Sequence, residues 1–280
     1  MSAASLLPTL FISHGGGPWP WMKSEMGTRY DRLATALREV PQRVGTLPKA
    51  ILMISAHWEV PEFTVMAHAH PPMIYDYSGF PDYTYRIRYA APGAPQLAAR
   101  VRELLLAAGI AAGVDANRGF DHGLYAPMVV MYPAADVPIT QLSLKRGLDP
   151  DEHLAAGRAL APLRDEGVLI IGSGLSYHNL RMFGPAARVP SAQFDGWLET
   201  TLAMDAGERT RALSSWSTAP AARVAHPREE HLLPLMVAVG AAERDAATRT
   251  YHEDAFFGGI SVSNFMFGSA TRAATDVRPT

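Results

Sequence analysis

Five of the ten histidines in this 280-residue chain stand where side chains could meet and do chemistry. His14 lies in Phe11-Ile12-Ser13-His14-Gly15-Gly16-Gly17-Pro18, and His57 in Ile51-Leu52-Met53-Ile54-Ser55-Ala56-His57-Trp58-Glu59. His122 sits in Phe120-Asp121-His122-Gly123-Leu124. His178 closes Gly172-Ser173-Gly174-Leu175-Ser176-Tyr177-His178, and His231 follows Pro227-Arg228-Glu229-Glu230. Imidazole is the commonest side-chain metal ligand, and it changes charge near neutral pH. Several such residues at strand ends predict one metal site supplied with its own acid and base. The chain has no cysteine, which removes thiolate metal sites, iron–sulfur clusters and disulfides. Any metal is then held by His, Asp, Glu, carbonyls or water.

The settings of these histidines differ. His57 follows a strongly apolar run, where an imidazole without a partner would be costly. Trp58 and Glu59 beside it are placed to wall the site and orient the ring. After His14, three glycines would let the backbone approach a ligand closely, since no Cβ intervenes. They do not read as a phosphate loop, because no Gly-Lys-Ser/Thr ending or dinucleotide spacing follows. Asp121 stands ready to raise the pKa of His122 or fix its tautomer. Ser173 and Ser176 raise the idea of a nucleophilic serine, but the Gly-x-Ser-x-Gly spacing of a hydrolase elbow is missing. His226 and His231 are too far apart to share a helix face as an i, i+4 pair would. Only one of them need be a ligand, and His231, inside the helix start, is the better fixed. Glu229 and Glu230 complement that helix N-terminus. His68, His70, His153 and His252 have no comparable setting and are expected at the surface.

The elements that must position these residues alternate. Strands are expected at Thr9 to Ser13, Lys49 to Ser55, Phe63 to Ala67, Ile110 to Val114, Pro138 to Leu144 and Val168 to Gly172. The run over 49–55 is apolar enough for the centre of a parallel sheet. Helices are expected over Glu25 to Val40, ending at Pro41, and over Ala94 to Ala108, stopped by Gly109. Further helices are expected over Asp151 to Leu163, capped by Asp149 or Asp151, and over Ser191 to Met204, Glu208 to Leu213 and Glu229 to Ala242. Thr248 to His252 and Ser261 to Phe267 return as strands. The tract from Pro71 to Pro95, rich in Tyr, Pro and Gly, reads as an elaborate connection near a site. The pattern predicts one three-layer α/β domain over 1–280, its central mostly parallel or mixed sheet flanked by helices. Function in such sheets collects beyond the carboxyl ends of strands. If the strands before His14, His57 and His178 are parallel neighbours, their histidines converge.

Composition narrows the partners. Hydrophobic residues at 48% and charged residues at 19% suit a globular protein with a sizeable core. A formal charge of −2, with no Lys/Arg cluster, leaves no footprint for nucleic acid. No apolar run approaches the ~18 residues of a membrane span. The N-terminus lacks a basic n-region and a long apolar stretch. The expectation is a cytoplasmic protein acting on a small molecule.

Taken in order, these motifs resemble the class III extradiol ring-cleaving dioxygenases, in their DOPA 4,5-dioxygenase-like branch, related to the catalytic subunit of protocatechuate 4,5-dioxygenase. The resemblance spans most of the chain and extends to Ser263-Asn264-Phe265-Met266-Phe267-Gly268. It implies His14, His57 and His231 as metal ligands, and His178 and His122 as the catalytic proton-handling pair, with His178 close enough in some relatives to count as a ligand. His231 falls where protocatechuate-type members place a carboxylate, and Glu230 is one residue away. The implied cofactor is Fe(II), with Zn(II) as the other candidate because a three-histidine site lacks the carboxylate of the facial triad. The implied partners are a catechol bearing a side chain and O2, without nucleic acid or membrane, in a monomer or homo-oligomer. Tyr75, Tyr77, Phe80, Tyr83, Tyr125 and Trp58 are available to wall an aromatic pocket. Two other functions share these residues: a zinc hydrolase or lyase, and a metal- or peptide-binding protein of the same fold.

Overall fold

Apolar runs with few charges form the middle of the sheet, and charged runs form its edges. The computed structural model describes residues 6–269. Its strands are β1 (Thr9–Ser13), β2 (Ala50–Val60), β3 (Phe63–Met66), β4 (Ala112–Asp115), β5 (Ile139–Lys145), β6 (Val168–Gly174), β7 (Ala247–Phe256) and β8 (Ile260–Phe267). They make one sheet in the order β4-β3-β5-β2-β6-β1-β8-β7. The central four, β5, β2, β6 and β1, run parallel. β3 joins β5 antiparallel and pairs parallel with β4; β8 joins β1 and β7 joins β8, both antiparallel. The sheet is therefore mixed. Every residue of β1 and β6 is buried, as strands covered on both faces require.

The helices are α1 (Lys23–Met26), α2 (Asp31–Val44), α3 (Pro95–Ala107), α4 (His122–Met131), α5 (Pro150–Leu160), α6 (Arg188–Leu202), α7 (Ala206–Ser214), α8 (Ala222–Ala225) and α9 (Leu233–Ala241). Two adjacent residues of β6 show how they cover both faces. A Cβ on Gly172 would lie 2.3 Å from the Pro234 carbonyl of α9, whereas the Ser173 hydroxyl donates to the Gly123 carbonyl of α4. Successive strand residues point to opposite faces, so α4 and α9 sandwich the sheet centre. α5 crosses α9 at Gly157 and Gly240, where added Cβ atoms would strike the partner's backbone at 2.3 and 2.2 Å. Among the described residues no helix is long and apolar enough to cross a membrane.

Four local departures from the sequence pattern have physical causes. α2 passes through Pro41 to Val44 and ends at Gly45, whose φ is 76°. The buried stripe Leu33, Leu37, Val40, Val44 outweighs the one hydrogen bond a proline removes in a last turn. β2 continues past Ser55 to Val60, and its pairing with β5 shifts register between Ile54 and Glu59. His57 thus rides an irregularity inside a strand, a device that re-aims side chains. The last helix starts at Leu233, with Pro234 in its first turn, where the missing N–H costs nothing. His231 consequently precedes the helix. Finally, α4 gives no periodic signal: eight of its ten residues are buried, and it contains Pro127. It is capped by Asp121, whose Oδ1 accepts from Leu124 N at 3.2 Å.

Candidate metal centre

β1, β6 and β2 are parallel neighbours, with Ser13 opposite Gly174 and Ser55 opposite Ser173. Their carboxyl ends therefore lie side by side. His14 extends β1 by one residue, its N–H donating to Gly174 O at 3.2 Å. His178 follows β6 in a loop tied down by His178 N–H to Ala225 O (2.9 Å) and Asn179 Nδ2 to Val224 O (2.8 Å). His231 arrives from the opposite face of the sheet, where its carbonyl crosses over Gly174; a Cβ there would lie 2.0 Å away. His122 opens α4, and the helix lies so close to β2 that a Cβ on Gly123 would come within 2.6 Å of Ser55 Oγ and 2.9 Å of His57 Cδ2.

All five histidines meet. One ring nitrogen each of His14, His57 and His231 lies within 4.8 Å of the others. Ring centroids are 4.9 Å apart for His14–His57, 5.2 Å for His14–His231 and 3.9 Å for His57–His122. His178 stacks on His231 at 3.4 Å, nearly parallel at 18°. His14 is fully buried. Burial first, and the neighbouring imidazoles second, hold His14 and His231 well below the usual histidine range. Burial likewise lowers His57 to about 4. The three rings are neutral at pH 7, the state a metal needs.

Residues 8–268 match the family described as the catalytic LigB subunit of aromatic ring-opening dioxygenase. The chain is 39% identical over 272 residues to a 4,5-DOPA dioxygenase extradiol of Beta vulgaris, covering 96% of this chain and 99% of that one. It is 35% identical to the dioxygenase tasH of Hapsidospora irregularis, covering 95% of this chain and 86% of that one. The 4,5-DOPA dioxygenase extradiol of Escherichia coli K12 is 32% identical, with coverages of 95% and 96%. Among solved structures, an uncharacterized protein of Escherichia coli K12 superposes with a TM-score of 0.75 at 29% identity, covering 94% of this chain and all of that one. The chain belongs to the LigB family. It is an extradiol aromatic ring-opening dioxygenase.

In this LigB-family chain the outer nitrogen of each ring has a partner. Ser173 Oγ spends its proton on Gly123 O, so at 3.1 Å it accepts from His14 Nδ1–H. Glu230 Oε1 lies 3.1 Å from His231 Nδ1 and 3.2 Å from His178 Nδ1. Asp76 Oδ1 accepts from both the backbone N–H (3.0 Å) and Nδ1 (2.9 Å) of His122, while its Oδ2 lies 3.4 Å from His57 Nδ1. Burial alone would raise the Asp76 carboxyl, but His122 and His57 together hold it below the ordinary value. The same balance, with His178 as the main counterweight, keeps Glu230 low. Carboxylates only accept, so the protons sit on Nδ1. The Nε2 atoms of His14 and His57 then face each other at 3.1 Å with two bare lone pairs. Such a donor set fits a divalent cation.

Several sequence expectations shift. The carboxylate that faces His122 is Asp76, from the irregular tract, and not Asp121. Asp121 is already filled by Ser55 Oγ (2.8 Å), Arg118 Nη2 (2.8 Å) and Gln141 Nε2 (3.0 Å). Gly15 and Gly17 make room for Trp19 and Phe80, whose atoms a Cβ would meet at 2.4 and 2.8 Å. Trp58 is buried beneath the Arg118 guanidinium, and Glu59 pairs with Arg228. Tyr77 reaches the site, 5.9 Å from the His122 ring, with Phe80 beside it; Tyr83 is exposed and bonds Glu25. His153, expected at the surface, is fully buried, and so is His226. His153 ties the chain at 145–149, its Nδ1–H donating to Asp149 O and its Nε2 accepting from Lys145 N, and His226 Nε2 donates to Ser176 O at 3.0 Å.

Proposed function

We propose that this dioxygenase cleaves a catechol bearing a side chain, at a metal(II) ion held by His14, His57 and His231, with His178 and His122 moving the protons. The convergence of those three neutral imidazoles, Nε2 inward and Nδ1 tied outward, carries the reading. Bound there, Fe(II) would offer open positions to the catechol oxygens and O2 and pass electrons between them. The protein's own residues handle the rest. With its Nδ1 turned to Glu230, His178 has Nε2 free to take a proton from a catechol hydroxyl. His122, its Nδ1–H on Asp76, has an Nε2 lone pair free to take the second catechol proton and to return it as the ring opens. Tyr77 and Phe80 line the approach with aromatic surface suited to a planar ring. Zn(II) is the competing ion, since the trio contains no carboxylate.

Anaerobic reconstitution with Fe(II) or Zn(II), addition of a catechol panel and then admission of air tests this reading. It expects Fe-dependent O2 uptake with a rising visible absorbance from a ring-opened semialdehyde. Equal turnover with zinc and without O2 would point instead to a hydrolase or lyase.

A further inference from the structure

Two carboxylates border the cluster, and each faces one proposed ligand and one proposed proton-handling histidine. Asp76 faces His57 and His122; Glu230 faces His231 and His178. Their geometry differs in a way that divides the work. Asp76 makes its close hydrogen bonds to His122, through ring and backbone, and stands farther, at 3.4 Å, from the ligand His57. Glu230 makes its best-aligned bond to the ligand His231 and offers the same oxygen to His178.

We infer that Asp76 and Glu230 are positioning residues with split duties, Asp76 fixing the tautomer and aim of His122 and Glu230 fixing those of the ligand His231. Both carboxylates meet the rings at Nδ1. Both act through the Nδ1–H of another ring, the arrangement by which outer groups orient metal-binding histidines and raise their basicity. An Asp76 oxygen that holds both the backbone N–H and the ring of His122 also pins that ring to the first turn of α4. Glu230 is itself held by Arg228, whose Nη1 lies 3.5 Å from Oε2. The inference rests on the metal-centre reading.

The test uses 15N-histidine-labelled full-length protein, with and without Zn(II), and ring-nitrogen correlation NMR. In the wild type, His57, His122, His178 and His231 should all appear as Nδ1–H tautomers. Asp76→Asn should scramble His122 and lower kcat about 10²-fold or more, while Zn(II) affinity stays within a few-fold. Glu230→Gln should scramble His231 and weaken Zn(II) binding about 10–100-fold. Asp76→Glu and Glu230→Asp should recover part of each loss. An Nε2–H tautomer at His122 or His231 in the wild type overturns the inference, even if a variant fails to fold. So do equal losses of Zn(II) affinity in the two variants. Wild-type protein that takes up no divalent ion overturns the metal reading instead, while the tautomers of the metal-free protein still judge the carboxylates.

Discussion

On one flank of the centre, His57 and His122 are held by a carboxylate that lies 46 residues before His122 in the chain. On the other, His231 is held by Glu230, its immediate neighbour. The first flank is built from a strand irregularity, a helix start and a loop; in the second, Glu230 and His231 share a single turn ahead of α9, pressed onto β6, and only His178 comes from another segment. The first therefore depends on long-range packing between three separate segments. The second depends on one backbone crossing over a glycine. Like groups are thus held by unequal mechanics, and each flank has its own point of failure.

Removing the ring proposed to handle protons on either flank should have the largest effect. His122→Ala and His178→Ala are each expected to lower kcat about 10²–10⁴-fold while metal content, measured by elemental analysis, stays at the wild-type level. Loss of metal in His178→Ala alone would make that flank a two-ligand flank and break the symmetry.

The glycines come next. Gly174→Ala would set a Cβ 2.0 Å from the His231 carbonyl, whereas in Gly123→Ala the closest contacts are side chains at 2.6 and 2.9 Å. Backbone yields less than side chains, so Gly174→Ala should cost more, above the ~1–3 kcal/mol typical of overpacking. Denaturant midpoints of the two variants order the flanks. The reverse order would mean that the His57 side is the stiffer.

A pH effect of smaller size comes from the buried histidines outside the cluster. Burial lowers His226 to about 3 and His153 to about 4. Between those values and the unfolded pKa near 6.5 the unfolded chain binds more protons, so stability is complete above ~6.5 and falls as pH drops. Each contributes about 1.4 kcal/mol per pH unit within its window. Melting of His226→Gln, which keeps an Nε2-like donor for Ser176 O, should show a shallower loss between pH 6.5 and 5; an unchanged slope would contradict this.

The smallest change is expected from Arg228→Ala. Its side chain is about half exposed and bridges Glu59 and Glu230, and exposed pairs contribute only about 0.2–1 kcal/mol. Metal affinity should fall less than ~5-fold, and less again in high salt. A larger loss would show that the Glu230 flank also relies on its surface ion pair.

Much of this site was legible without coordinates because chemistry and backbone grammar coincide. His14 stands between an apolar run and three glycines, and His178 follows an apolar run that ends in glycine; such runs are strands whose carboxyl ends gather ligands. His231 sits in a short polar turn before a wholly apolar helix. Asp76 carried no such mark. It lies in a tract without period, and only the fold brings it to His122. α4 was equally silent, since a helix buried on all sides shows no stripe. Asp121, adjacent to His122 in sequence, pointed the other way: side chains of neighbouring residues at a helix start diverge, and its oxygens serve the cap and β2.

By itself, the sequence determined the kinds of ligand available, the five histidines that cluster, the family and the alternating strand–helix plan. These follow from residue type and local spacing, which are written along the chain. Only the tertiary structure decided that β1, β6 and β2 are neighbours, that His57 points inward from a strand irregularity, and which carboxylate holds which ring. Those depend on strand order and on contacts between distant segments, where a few tenths of an ångström at Nδ1 decide the tautomer presented at Nε2.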